Sequence, residues 1–225
     1  MQPIAHIRSD FPEKFGIPRA SGLVPELRAR IVFTPEFRRP EAVRGIEGFS
    51  HLWLIWLFSG NAEAGWSPTV RPPRLGGNER MGVFATRAPF RPNPIGLSAV
   101  ELLGVDLGPE GPVLTIGGAD LMDGTPILDI KPYVPIDSIP HARGGFITGN
   151  PRDPLEVDLP PELASLLPEH ARAALPGILA ADPRPAYQVE PGRTYSMSYA
   201  GCEVDFRVDG TSLTVTGIRP TGNGK

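Results

Sequence analysis

The chain has 225 residues, of which 40% are hydrophobic and 21% charged, and its 22 Lys and Arg against 25 Asp and Glu give a formal net charge of -3. These values describe a soluble globular protein with room for one large domain, or a main domain and an appendage, and they exclude one that grips nucleic acid through a wholly basic surface. The single cysteine, Cys202, excludes an internal disulfide and, with four scattered histidines, a standard zinc site. No apolar run reaches the ~18 residues of a membrane span, and MQPIAHIRSDF lacks the layout of a secretory signal, so a cytoplasmic protein without metal or membrane attachment is expected.

Alternating apolar residues predict a first strand over residues 4–7, and a second over 29–34 follows the loop EKFGIPRASGLVPE, which presents Lys14, Arg19 and Ser21 among glycines and prolines. Thr34, Pro35 and Glu36 form a helix-start signal, so a short helix is expected to about Val43, ended by Gly45. Residues 49–58 are apolar on both faces, which predicts a strand covered on both sides, a buried helix being the competing reading. Residues 59–80 are rich in Gly and Pro without a period, and they set Arg71, Arg74 and Arg80 against one nearby acid, Glu79.

The run MGVFATRAPFRPNPIGLS predicts a short strand over 81–85, a loop carrying Arg87, Arg91 and Asn93 that is stiffened by Pro89, Pro92 and Pro94, and a long strand over 95–107. Rigid loops between buried strands are where ligand-binding groups tend to sit; an ordinary connection with solvated arginines is the alternative. Strands over 113–116 and 126–133 follow, the second after a tight Asp123-Gly124 turn and with Asp129 and Lys131 sharing one face.

A linker over 141–155 then leads to helical patterning over 162–181, broken at Pro168 and Pro176, and to a meander over 194–199, 203–208 and 212–218 that turns at Asp209 and Gly210. The expected architecture is mainly β: a small β-barrel domain with a few helices over residues 1–150 and a small α+β domain over 151–225, with a disordered tail from Pro220. No P-loop, GxGxxG or GxSxG motif is present, and Cys202 lies within a predicted strand, where it reads as a packed small hydrophobe. The remaining polar groups, among them Arg19, Ser21, His51, Ser59, Arg87, Asp123, Thr125, Asp129 and Lys131, fall at strand ends. A barrel would gather such ends at one rim, as a site for a small ligand carrying both charges.

The blocks EKFGIPR, AVRGIEGFSHLW, GWSPTVRPPRLGGNERMGVFATRAPFRPNPIGLS, LMDGTPILDIKPY and ADPRPAY, in that order over nearly the whole chain, resemble the TrmO family of tRNA methyltransferases. The resemblance implies a β-barrel enzyme that uses S-adenosyl-L-methionine to methylate N6 of N6-threonylcarbamoyladenosine at position 37 of a threonine tRNA, working as a homodimer with the cofactor near the subunit interface. It carries cofactor contacts onto Arg19, Ala20, Ser21, Ser59, Gly60, Arg87, Leu97, Asp123, Gly124, Thr125 and Pro126. Asp129, His51 and Tyr133 are the candidates for a general base. Arg71, Arg74, Arg80 and Arg91 are expected to meet tRNA phosphates, and Arg184 and Tyr187 the anticodon loop by charge and stacking. A small-molecule methyltransferase of the same fold, or a non-catalytic module that binds the cofactor or RNA, are the competing readings.

Overall fold

The computed structural model describes residues 1–184 and 192–222, and of residues 62–64 the backbone. Six strands close into an antiparallel barrel: β1 (Ala5–Arg8), β2 (Arg28–Phe33), β3 (His51–Leu57), β6 (Ile95–Gly108), β7 (Gly111–Gly117) and β8 (Pro126–Pro132), in the order β1-β2-β7-β6-β3-β8. A two-stranded ribbon, β4 (Thr69–Val70) with β5 (Met81–Gly82), stands apart from it. Period-two alternation turns Ile7, Ile31, Leu52, Leu54, Leu114, Ile116 and Ile127 inward, where they form a fully buried core. Two bulges bend the barrel wall. One passes over Leu128 where β8 meets β3, and the other leaves Leu103 unpaired where β6 meets β7.

The C-terminal part builds a second core. α1 (Phe146–Gly149) and β9 (Glu156–Asp158) precede three short helices, α2 (Pro161–Ala164), α3 (Glu169–Arg172) and α4 (Leu175–Ala180), and the meander β10 (Thr194–Tyr199), β11 (Cys202–Asp209) and β12 (Ser212–Pro220). The sheet order is β10-β11-β12-β9, with β9 parallel to β12. Leu175, Leu179, Val204, Phe206 and Leu213 are buried there, and so are Phe11, Val24 and Leu27, which come from the loop between β1 and β2. This loop ties the two units together. Ala200 N–H donates to Asp10 O at 2.9 Å, and the Phe11 and Tyr199 rings lie 5.2 Å apart.

Several expectations need correction. The helix expected to reach Val43 is two 3₁₀ turns, Pro35–Phe37 and Pro40–Val43, because Pro40 holds the preceding Arg39 in extended backbone. The strand expected over 81–85 is only β5, after which Val83–Ala85 form a 3₁₀ turn. β3 is a strand, but only Leu52, Leu54 and Trp56 are buried; Trp53, Ile55 and Leu57 on its other face are half-exposed. The helical run does break at both expected prolines: Pro168 precedes α3, and Pro176 stands in the first turn of α4, after α3 has ended at Arg172. Pro220 belongs to β12, opposite Cys202, and Thr221 bonds to Gly201.

Candidate active site

Three connections converge at the end of the barrel where β3 leaves off and β8 begins. The turn over residues 122–125 is closed by Thr125 N–H and Thr125 Oγ1 donating to Met122 O at 3.1 and 2.7 Å, with Gly124 taking the positive φ of +75° that its position requires. Asp123 anchors this turn: Ser9 N–H donates to Asp123 Oδ1 at 3.1 Å, and Arg8 lies 3.6 Å from the carboxylate. Gly22 N–H donates to Gly118 O at 2.9 Å, which brings the Arg19, Ala20 and Ser21 segment against the β7–β8 connection. Ser59 and Gly60 follow β3, and Lys14 Nζ donates to Gly60 O.

Between these connections lies a cavity of about 220 Å³ lined by Trp56, Ser59, Gly60, Asp120, Met122 and Thr125, among others. Its polar floor is a relay. Trp56 Nε1 donates to Ser98 Oγ at 3.0 Å, and Ser98 Oγ donates to Asp120 Oδ1 at 2.7 Å. Burial pushes the Asp120 carboxyl above its usual range, opposed by the bond from Ser98, by the backbone of Asp120 and Ser21, and by the charge of Arg87. The Trp56 ring lies flat against Gly96 of β6, so close that a Cβ there would fall 2.2 Å from it. Phe58 continues the aromatic wall, its centroid 4.2 Å from that of Trp56.

A larger cavity of about 690 Å³ adjoins the first, and Lys14 and Ile17 line both. Arg19, Arg71, Asp182 and Arg184 also line it, so its walls come from the β1–β2 loop, the loop before β5 and the segment after α4. Arg19 Nη2 donates to Asp182 O at 3.2 Å and Arg184 O at 3.0 Å, and Arg184 pairs with the Asp182 carboxylate at 2.8 Å. Behind this wall Arg74 donates to Asn150 O and Arg152 to Pro73 O. Positive charge is in excess here. Burial, followed by repulsion from Arg152, holds the Arg19 guanidinium below its ordinary value; burial does the same for Arg152; and the bond to Asp182 raises Arg184.

The structure brings some expected residues together and separates others. Arg19, Ala20, Ser21, Ser59, Gly60, Asp123, Gly124, Thr125 and Pro126 gather at this barrel end, and Arg87 is near enough for its charge to act on Asp120. Leu97 lies on the outer face of β6, 56% exposed, opposite Ile55. Arg71 and Arg184 line the larger cavity and Arg74 backs it, but Arg80 bonds to Thr69 Oγ1, and Arg91 staples its own loop by donating to Val83 O and Thr86 O. Tyr187 lies outside the described residues.

The three candidate bases sit elsewhere. His51 and Tyr133 stand at the far end of β3 and β8, about 20 Å away at ~3.3 Å per strand residue, where Tyr133 packs on Trp53. Asp129 pairs with Lys131 at 2.7 Å beside a separate cavity with Phe33 and Phe37. The expectation of one rim therefore fails for His51 and Lys131, because antiparallel strands deliver their ends alternately to both rims, and for Asp129, which lies midway along β8 opposite Ile55. Asp120, Ser98 and Arg152 were missed. Ser98 was detectable as the one polar residue at an inward position of β6, between Gly96 and Val100.

Among the described residues no helix is long and apolar enough to cross a membrane, and no group of three or more His, Cys, Asp or Glu stands together as a metal site. A family model described as tRNA-methyltransferase O N-terminal domain matches residues 6–138, and one described as TrmO C-terminal domain matches residues 152–221. The chain is 42% identical to the tRNA (adenine(37)-N6)-methyltransferase of Escherichia coli K12, with 97% of each covered. It is 53% identical to the protein of the same name from Eikenella corrodens, covering 72% of this chain and 92% of that one. A crystal structure of TrmO superposes with a TM-score of 0.78 at 36% identity, covering 96% of each chain, and TrmO from Pseudomonas aeruginosa gives 0.77 at 35%.

Proposed function

Since the chain belongs to the tRNA-methyltransferase O family, we propose that it is an S-adenosylmethionine-dependent enzyme that methylates N6 of adenosine 37 in tRNA, with N6-threonylcarbamoyladenosine of threonine tRNA as acceptor. The observation that carries this reading is the pairing of two adjoining cavities with different chemistry. The smaller offers an aromatic wall, which suits a ligand with a base ring; the larger is lined with arginine, which suits phosphate. In the first, the 123–126 turn, the Arg19–Ser21 backbone, Ser59, Gly60 and Arg87 would hold the cofactor. When bound there, the cofactor supplies an activated methyl group, and the chain's own task is to align the acceptor and exclude water.

At about 220 Å³ the smaller cavity falls below the ~300 Å³ usual for a ligand of this size. Its wall needs completing from outside, and the surface beside it is apolar. Trp53, Ile55 and Leu57 of β3 lie opposite Ala99, Leu97 and Ile95 of β6 on the outer barrel face, and Leu57 also lines the cavity. We assign this face to a homodimer contact. Ile55→Asp should convert the dimer to monomer in sedimentation and weaken cofactor binding, while the thermal midpoint of the monomer moves little, because the side chain lies outside the core.

tRNA is assigned to the arginine-lined cavity, through Arg71 and Arg184, with Arg74 behind its wall; its anticodon loop would then lie next to the cofactor. Arg71→Gln should lower tRNA affinity and reduce the salt-dependence slope by about 1, as expected for one lost phosphate contact, and leave cofactor binding unchanged. The function itself is tested with tRNA isolated from cells lacking this activity. Incubation with methyl-labelled donor, followed by digestion to nucleosides, should place the label on the N6-substituted adenosine of position 37. Label on another nucleoside, or none, would refute the assignment. The setting is the cytoplasm, where mature tRNA is found.

A further inference from the structure

We infer that Asp120 is the catalytic residue that takes the proton from the acceptor nitrogen. This rests on the methyltransferase reading above. Asp120 is the carboxylate that lines the smaller cavity among the described residues, it stands at the edge shared with the Arg19–Ser21 segment, and it lies at the opposite barrel end from His51 and Tyr133, while Asp129 sits midway along β8. Its orientation is fixed: Oδ1 accepts from Ser98 Oγ, and Ser98 in turn accepts from Trp56 Nε1, so β3, β6 and the β7–β8 connection together set its position. Asp123, three residues on, does not line this cavity, and its carboxylate is turned to Ser9 N–H and Arg8.

The chemistry requires such a group. As the lone pair of N6 attacks the methyl carbon, the new N6–methyl bond forms while the donor's methyl–sulfur bond breaks and its electron pair leaves on sulfur. The nitrogen would be left with one proton too many, and that proton passes to Asp120 Oδ2. An ordinary aspartate, with a value near 3.9, is a weak acceptor; a buried one is stronger. The groups facing it are Ser98 from β6, Trp56 from β3, the Ser21 backbone, and the cations Arg87 and Lys14, with no second carboxylate among the described residues that line the cavity. Arg87 and the bond from Ser98 favour its ionised form, while burial makes it more basic than an exposed aspartate.

The raised value also fixes a sign. The folded state holds this proton more tightly than the unfolded chain, so the contribution of Asp120 to stability is present below the unfolded value and is lost as pH rises through the folded one. Asp120→Asn should therefore be at least as stable as the parent at neutral pH, which makes retention of the acid costly unless it has another use.

Two measurements test the inference. In the ligand-free protein the Trp56 indole N–H resonance should titrate through the Ser98 relay with a midpoint above the ordinary carboxylate range, and Asp120→Asn should abolish that titration. In turnover, Asp120→Asn should lower kcat by about 10²-fold or more with the calorimetric cofactor affinity held within about threefold. Ser98→Ala, which removes a bond that favours the ionised form, should move the acid limb of the pH–rate profile upward. An Asp120→Asn enzyme as fast as the parent overturns the inference alone, as does one whose cofactor affinity falls as far as its kcat. A parent protein that methylates no tRNA overturns the inference together with the reading on which it rests.

Discussion

Ending the chain at residue 150 should cost it cofactor binding, although no expected cofactor contact lies beyond that point. The reason is the loop between β1 and β2. Its Phe11, Val24 and Leu27 side chains are buried in the C-terminal core rather than in the barrel, and Gly177 of α4 is packed against Val24. Removal of residues 151–225 would expose all three at about 1.5–3 kcal/mol each. It would also take away the Asp182 and Arg184 carbonyls that hold Arg19 and the Ala200 N–H that bonds Asp10. The loop that presents Arg19, Ala20 and Ser21 then has no fixed course. Cofactor affinity of the truncated protein should fall at least tenfold by calorimetry, and its melting transition should broaden and move down. Retention of full affinity would show that the barrel alone defines the site.

Gly96→Ala should be nearly as damaging through a single methyl group. A Cβ at this position would lie 2.2–2.6 Å from three atoms of the Trp56 ring, which is itself 9% exposed and packed among the barrel core. The ring must leave its place, and with it go the wall of the smaller cavity and the donor to Ser98. Overpacking of this kind costs about 1–3 kcal/mol, or roughly 2–10 °C in melting temperature for a chain of this size. Cofactor binding should weaken by more than the stability loss alone explains. Gly104→Ala is the control: a Cβ there meets nothing within 4 Å, so both measurements should match the parent. Equal behaviour of the two variants would mean that the Trp56 position is irrelevant to the site.

The barrel strands were legible because each is an apolar run of strand length bounded by turn residues, β3 being apolar on both faces, and the Asp123-Gly124 turn lies where the residue pair marks it. What sequence could not supply was direction in space. His51 and Ser59 are eight positions apart and both flank β3, yet that strand carries them to opposite ends of the barrel. Bulges were equally hidden. Strict alternation puts Leu128 and Ile130 on one face, whereas the bulge at Leu128 lets Ile127 and Ile130 both pack toward the core. Asp120 went unnoticed because a lone acid ahead of a turn looks like any other until burial and the Ser98 bond are visible. The dependence of the C-terminal core on Phe11, Val24 and Leu27 was invisible for the same reason, since contacts over more than a hundred residues leave no local pattern.

The central claim is that this chain acts on a tRNA already carrying threonylcarbamoyl at adenosine 37. Two preparations of threonine tRNA, one modified and one an unmodified transcript, incubated with the protein and methyl-labelled S-adenosylmethionine, test it most directly. The account predicts stoichiometric label on the modified tRNA and none on the transcript. Equal labelling of both, or labelling of neither, would contradict it.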